Sequence, residues 1–426
     1  MSARRAAAEL LVAVTDEGHA LGDALVRTQS FAALSGRDRA FARAMATAAL
    51  RRLGGIDAVL AQFLQKPLPD TAFHGRAMLR IGAAQLLLMD TPPHAAVGET
   101  VEAANSMRES RGFAKLINAV LRKVAADGAG LLAAQAPGVD LPAWLFTRWR
   151  ASYGADTAAA IARALRHEPA LDFSVKSDAP GWAAKFGAML TPTGSVRLQS
   201  VDSVDLLPGF HDGAWWVQDA AAALPARLLG AVRAQNVLDL CAAPGGKTLQ
   251  LAAAGAGVTA VDRSEERLER LRENLHRTRL EAKVIARDAL KLRIKAPFDA
   301  VLLDAPCSST GTLRRHPDVA WLRRPSDIRA LSELQTQLVD AARAMVKPGG
   351  TLVYAVCSLE PEEGLAIAAH ALKNGWTRKP ISHGEIEGAD DFITGDGDLR
   401  TLPSHWPEIG GLDGFYAVRL ARSSDG

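Results

Sequence analysis

The sequence predicts an α/β fold, a mostly parallel, doubly wound sheet, preceded by an all-helical block and a small α+β module. Three observations predict it. Up to about residue 130, apolar residues recur at i, i+3, i+4 and i+7, the spacing of a buried helical face. From about residue 206, strand-length apolar runs alternate with helical patterns. At Asn236–Leu251, NVLDLCAAPGGKTLQL, a short apolar strand runs into Pro244-Gly245-Gly246 and then a helix. That arrangement lets the backbone come close to a nucleotide-like ligand at the edge of such a sheet.

The 426 residues are enough for two or three domains. In the first, Ala7, Leu10, Leu11 and Val14 share one helical face, and Ile117, Val120, Leu121 and Val124 share another. Gly54-Gly55, Pro67-Leu68-Pro69 and Pro92-Pro93 punctuate the pattern into several helices. The block shows no alternating strand and no catalytic constellation. A Gly/Ala/Pro-rich connector, Gly128 to Pro142, leads to Trp144, Trp149 and a helix through Ala158–Leu165. A strand at Leu171–Val175 and a turn at Thr191–Gly194 follow, giving the small module over 131–205.

In the last domain, 206–426, strands are expected at Val237–Leu240, Val258–Val261, Lys283–Ala286, Ala300–Leu303 and Thr351–Val356. A helix from Glu265 carries Leu268, Leu271 and Leu275 on one face, with Ser264 as its N-cap. A second runs from about Ser326 to Val346 and stops at Lys347-Pro348-Gly349-Gly350. Phe392 and Phe415–Leu420 suggest an antiparallel finish before the polar tail Ser423–Gly426.

Bulk properties exclude several classes. Apolar residues make up 48% of the chain and charged ones 23%, which describes a soluble globular protein. A formal charge of +3 does not by itself argue for nucleic acid, although arginine is dense at Arg263–Arg279 and Arg314–Arg324. No apolar run is clean enough to span a membrane, and Glu9 breaks the apolar start with no cleavage-site pattern after it. A cytoplasmic protein is the expectation. The three cysteines argue against a disulfide framework, and no CxxC spacing suggests a metal.

In a doubly wound sheet, ligands bind outside the carboxyl ends of the strands. The turn Cys241-Ala242-Ala243-Pro244-Gly245-Gly246-Lys247 follows the first expected strand, Asp262 ends the second and Asp288 follows the third. Asp304 and Cys307, in DAPCSSTG, follow the fourth, and Cys357, in YAVCS, follows the fifth. Asp262 lies roughly 20 residues beyond the turn, the spacing of an acid that accepts ribose hydroxyls. Asp288 is placed to meet an adenine amino group. NAD and S-adenosylmethionine both present an adenosine, and the turn discriminates weakly between them, because it is not GxGxxG. A phosphate-gripping P-loop would need glycine where Cys241 stands.

A cysteine taken alone is usually a small buried hydrophobe, and Cys241 reads so. Cys307 and Cys357 instead reach one rim from neighbouring strands. Two such thiols suit a redox pair or covalent catalysis on a poor nucleophile. C5 of cytosine is one example. A thiolate adding at C6 makes C5 carbanion-like, so that it attacks an electrophilic methyl group. The C5 proton and the enzyme sulfur must then leave.

VLDLCAAPGGKT, VLLDAPCSSTGTLRRHPDV and TLVYAVCSLEPEE, with VQD at Val217–Asp219, resemble the RNA (cytosine-5-)methyltransferases of the Nol1/Nop2/Sun type. HAAVGETVEAAN and FAKLINAVLRKVA look like a NusB-like RNA-binding domain. The resemblance spans nearly the whole chain and is weakest at about 131–205. It implies a class I S-adenosylmethionine-dependent methyltransferase with a Rossmann-like fold. It also implies that Cys241–Lys247, Asp262, Asp288 and Asp304 hold S-adenosyl-L-methionine, that Cys357 is the nucleophile and that Cys307 aids product release. The usual TCS reads Val356-Cys357-Ser358 here, which removes a threonine hydroxyl.

The implied substrate is a cytosine of 16S (small-subunit) rRNA, naked or in an assembly intermediate, met by a monomer without a membrane. The base must leave its stack to enter such a pocket. Arg314, Arg315 and His316 are expected to hold RNA phosphates, and Trp215, Trp216 or Trp321 to stack on neighbouring bases or pack in the core. Methylation of tRNA or of another rRNA site is an alternative. An amino-group methyltransferase would show a turn such as DPPY where this chain has DAPC. A non-catalytic RNA-binding or antitermination-like protein is a further alternative, against which the intact Cys307, Cys357 and Asp262 argue.

Overall fold

The computed structural model describes residues 2–199, 201 and 203–423; residues 424–426 of the polar tail lie outside the described residues. The chain divides into two compact units. One comprises Met1–His167 and Leu313–Arg323, the other Glu168–Thr312 and Arg324–Gly426.

In the helical unit, helices Ala3–Thr15, Gly36–Arg51, Leu53–Phe63, Phe73–Leu88, Pro93–Ser106 and Ala114–Ala133 enclose one core. Both faces expected from the spacing are buried: Ala7, Leu10, Leu11 and Val14, and Ile117, Val120, Leu121 and Val124. Two helices are separated beside Gly54 and Gly55 as expected, with the break at Arg52. The two glycines form the first turn of Leu53–Phe63, and the buried Asp140 accepts the Gly55 N–H at 3.1 Å. Such a terminus needs an acceptor for its free amide.

The unit continues well beyond residue 130. The expected connector is largely helix, since Ala114–Ala133 runs through Gly128 and Gly130, and helices Ala143–Tyr153 and Ala155–Ala164 follow. Asp140 explains the attachment. Its carboxylate pairs with Arg52 at 3.0 Å and with Arg166 at 2.8 Å, joining the stretch after residue 131 to the bundle. The alanines that read as linker are also the best helix formers.

A piece of chain distant in sequence completes this unit. In Leu313–Arg323, the Asp318 carboxylate accepts the Leu21 N–H at 2.9 Å, the Arg314 carbonyl accepts from Arg51 and Trp321 Nε1 donates to the Leu50 carbonyl at 3.0 Å. Trp321 and Leu322 pack on the helical core. Arg314 is 1% exposed, so it is not presented to RNA phosphates as expected. His316 is exposed.

The second unit begins with a four-stranded antiparallel sheet of β1 (Leu171–Val175), β2 (Met189–Leu190), β3 (Val196–Leu198) and β4 (Trp215–Val217), in the order β2-β3-β1-β4. Phe173, Ala183, Val196 and Trp215 form its core, with the Phe173 and Trp215 rings 4.6 Å apart, edge to face. Trp216 is buried beneath Leu249, Leu268 and Leu271. Both tryptophans are therefore core residues here, not stacking platforms. Asp172 and Arg197 form a fully buried ion pair, and Arg197 also donates to the carbonyls of Ile409 and Gly411.

The main sheet contains β5 (Asn236–Leu240), β6 (Gly257–Asp262), β7 (Lys283–Ala286), β8 (Phe298–Asp304), β9 (Val346–Val356), β10 (Trp376–Arg378), β11 (Leu399–Thr401) and β12 (Phe415–Arg422). Its order is β10-β12-β9-β8-β5-β6-β7, with β11 paired to β12. Strands β5 to β9 pair in parallel, while β12 runs antiparallel to β9. Phe392 lies in a 3-10 turn rather than in a strand. The helix Glu265–Thr278 buries Leu268, Leu271 and Leu275, and the Ser264 side chain accepts from the Arg267 amide at 3.3 Å. The helix after the cysteine loop ends at Arg343, and Lys347–Gly350 lies within β9. Val346 pairs with Phe298 and Thr351 with Ala300, so this Pro-Gly-Gly stretch is absorbed as an outward bulge.

Candidate active site

The strand order reverses between β5 and β8, one leading to β6 and β7, the other to β9. The crevice at such a switch point is where an α/β sheet binds its ligand. The expected residues stand at the carboxyl ends of β5, β6, β8 and β9 and just beyond β7.

The turn after β5 is shaped by close packing. Gly245 has φ +108°, and a Cβ there would lie 2.2 Å from Leu271 Cδ1, so only glycine fits. Lys247 and Thr248 open the helix Gly246–Ala253. The Thr248 hydroxyl donates to Asp239 Oδ2 at 2.5 Å, while the buried Asp239 Oδ1 has no hydrogen-bond partner among the described residues. Burial pushes the Asp239 carboxyl up to about 7. Burial likewise pushes the Cys241 thiol up to about 12, so it stays protonated. That fits a packing role for its sulfur.

Asp262 is 3% exposed and faces back onto the turn. One oxygen accepts the Ala243 N–H at 3.1 Å, the other accepts the Ser264 N–H at 2.9 Å, and Arg267 lies 3.5 Å away. Asp288 is half-buried and accepts the Leu290 amide at 3.0 Å, capping its own turn. Asp304 is drawn to the β5 turn, accepting from Lys247 Nζ at 2.7 Å. Burial draws protons off the Lys247 ammonium, but Asp304 outweighs it and holds the group above its ordinary value. The same ammonium lies 5.1 Å from the centre of the Phe415 ring.

The two thiols meet. Cys307 Sγ and Cys357 Sγ are 3.4 Å apart, and Cys357 Sγ is 3.7 Å from the Ser309 hydroxyl. Cys307 is buried and Cys357 half-buried. The hydrogen bond between them moves them apart in acidity. Cys357 is lowered by the Cys307 hydrogen bond, against burial, with help from Ser309 and Lys247. Cys307 is raised by the same bond and by its burial. The half-exposed sulfur is thus the one prepared to ionise.

Two residues of this rim are not singled out by the sequence. Phe415 comes from the last strand, more than a hundred residues from Lys247 in sequence. Glu363 is fully buried behind both cysteine loops. It lies in the LEPEE run, and a carboxylate in such an acidic run reads as solvated surface.

Comparison with known proteins agrees with this architecture. Residues 226–421 match the model of the family described as 16S rRNA methyltransferase RsmB/F, and residues 1–126 match the NusB family. The chain is 38% identical to ribosomal RNA small subunit methyltransferase B of Vibrio cholerae, over 99% of this chain and 98% of that one. It is 36% identical to the protein of that name from Pseudomonas putida, over 99% of each. Among solved structures, PH0851 aligns over 99% of both chains with a TM-score of 0.75 at 21% identity, a likeness of fold. A methyltransferase homolog from Pyrococcus horikoshii aligns over 66% of this chain and 95% of its own, with a TM-score of 0.56 at 26% identity. With a NusB-type helical unit, a doubly wound catalytic sheet and full-length relatives of one kind, the chain belongs to the ribosomal RNA small subunit methyltransferase B family of enzymes.

Proposed function

We propose that this enzyme transfers a methyl group from S-adenosyl-L-methionine to C5 of a cytosine in 16S rRNA, through a covalent bond between Cys357 and C6. The substrate is the free rRNA or an assembling small subunit, met by a cytoplasmic monomer. The observation that carries the reading is the 3.4 Å approach of the Cys307 and Cys357 sulfurs beside the Lys247–Asp304 pair. A cytosine-C5 methylation needs one thiol as nucleophile and a second group to assist its departure.

The donor set fits the cofactor. The carboxylates of Asp262 and Asp304 contact the Cys241–Lys247 turn and Asp288 stands beyond the next strand of the same rim, a set that suits a cation bearing hydroxyl and amino groups better than a diphosphate. When bound, S-adenosylmethionine supplies an electrophilic methyl group. Asp262 would accept ribose hydroxyls with the lone pairs left by its two loop amides, and Asp288 would accept an adenine amino group. Asp304, held by Lys247, faces the cytosine edge.

Cys357 acts first. Its sulfur, acidified by the Cys307 hydrogen bond, adds to C6 and makes C5 nucleophilic. After methylation solvent takes the C5 proton, the C5–H electron pair forms the C5–C6 double bond, and the C6–sulfur bond breaks with its pair returning to Cys357. Cys307 keeps its proton because burial and its partner hold its thiol up, so it can hydrogen-bond to the departing sulfur.

Bisulfite sequencing of total RNA from cells with and without this protein tests the reading. A 16S cytosine that loses its protection supports it. A lost site in tRNA would move the substrate and keep the chemistry. No lost site would overturn both.

A further inference from the structure

The Glu363 carboxylate is fully buried, and the partners the structure gives its two oxygens are neutral donors. Oε1 accepts the Ser308 N–H at 2.8 Å and Gln335 Nε2 at 3.1 Å. Oε2 accepts the Ser308 hydroxyl and, at 2.5 Å, the Ser358 hydroxyl. A carboxylate offers about four acceptor sites, and four donors fill them. Its own backbone carbonyl is tied down by the Tyr354 hydroxyl at 2.5 Å, and Gln335 also donates to Pro306 O at 2.9 Å.

The identity of those donors matters. Ser308 follows Cys307, and Ser358 follows Cys357. Thr310 strengthens the tie, since its hydroxyl accepts the Leu359 amide at 3.0 Å and lies 3.4 Å from the Ser358 hydroxyl. We infer that Glu363 is a positioning residue that clips the two cysteine loops together and thereby sets the spacing of the two thiols. Strands β8 and β9 are adjacent and parallel, but the loops beyond Asp304 and Val356 have left the ladder. One buried carboxylate with donors from both loops restores the registration that the ladder no longer supplies. The inference rests on the proposed roles of the thiols only for its effect on rate; the spacing itself is independent of them.

The geometry also says which replacement is tolerated. In Glu363→Gln the amide oxygen can still accept from Ser308 N–H and Gln335, and the amide nitrogen can donate to the two serine hydroxyls, which rotate to accept. Glu363→Ala leaves all four donors unmet in a buried place.

The test uses the full-length protein in a redox buffer of reduced and oxidised glutathione. The reaction, two protein thiols plus oxidised glutathione giving the Cys307–Cys357 disulfide and two reduced glutathiones, reads the effective concentration of one thiol at the other. Glu363→Ala should lower that concentration about ten-fold or more, and Glu363→Gln should recover most of it. The methylation kcat should follow the same order, with the KM for S-adenosylmethionine unchanged. Should Glu363→Ala not fold, Ser308→Ala and Ser358→Ala each remove one tie and should lower the effective concentration by a smaller factor. An effective concentration unchanged in Glu363→Ala, or in both serine variants, overturns the inference, as does a Gln variant as impaired as Ala. If wild-type methylation is absent, the disulfide equilibrium still decides the matter, so the two readings fail separately.

Discussion

Two sulfurs of the same chemistry become different because they share one hydrogen bond, which lowers Cys357 and raises Cys307, while burial opposes the ionisation of both. Cys357, the half-exposed partner, is the one that takes the negative charge. Replacing Cys357 with Ala should therefore abolish methylation while leaving S-adenosylmethionine affinity within about two-fold by calorimetry, because loss of one side chain off the donor site removes little binding. Replacing Cys307 with Ala should instead trap a protein–RNA adduct, seen as a slow band on a denaturing gel; its absence with RNA bound would remove Cys307 from product release. The acidity of Cys357 also depends on the Lys247 ammonium. Its thiolate fraction rises with pH, so kcat/KM should climb with pH to a midpoint below that of an ordinary thiol, about 8.5. Lys247→Met removes the cation and leaves Asp304 unneutralised. Both changes disfavour the thiolate, so the midpoint should move up; an unmoved profile would separate Lys247 from the nucleophile.

At the scale of elements, the site depends on how closely loops from different strands approach. The 3-10 turn Thr310–Thr312 lies against the start of β12. Gly414 N–H donates to Gly311 O at 2.8 Å, and Gly311 N–H donates to Cys357 O at 3.0 Å. A Cβ on Gly311 would sit 1.9 Å from Gly414 O, which is backbone and cannot swing away. Gly311→Ala should destabilise the protein by about 1–3 kcal/mol in chemical denaturation, the cost of overpacking. It should also lower kcat more than it raises the KM for S-adenosylmethionine. Most of these elements were legible in the chain. Strand–turn–helix at Asn236–Leu251 follows from apolar spacing and glycines, and the Glu265 helix from its cap and its three leucines. The Lys347–Gly350 stop was misread because Pro and Gly mark a strand bulge as readily as a helix end.

At the scale of the whole molecule, the helical unit is made from two parts of the chain, and the second follows directly on the cysteine loop. Trp321 contributes its Nε1 hydrogen bond to Leu50 O and its packing on the helical core. Trp321→Ala should lower thermal stability by about 2–3 kcal/mol, below the cost for a fully buried Trp because this one is half-exposed. The loss should appear in the unfolding of the helical unit; an unchanged transition would mean that the segment adds nothing to it. A truncation at residue 130 should give insoluble protein, because it strips the bundle from Asp140, Arg166 and Trp149. The boundary at 167 was not legible, since an Ala-rich helix and an Ala-rich linker share a composition.

Apolar periodicity alone determined the buried helical faces and the β-rich half, and motif spacing alone determined which residues stand on one rim. Those are local properties: a period places a side chain on a face, and a strand end places it at an edge. Contacts between distant residues required the folded chain. Only the tertiary structure set the two sulfurs 3.4 Å apart, turned the Asp262 carboxylate onto the loop amides and buried Arg314 and both Trp215 and Trp216. It also placed Glu363 between Ser308 and Ser358. Whether a polar side chain faces water or a buried partner depends on what the rest of the chain brings beside it, and spacing along the chain carries no record of that.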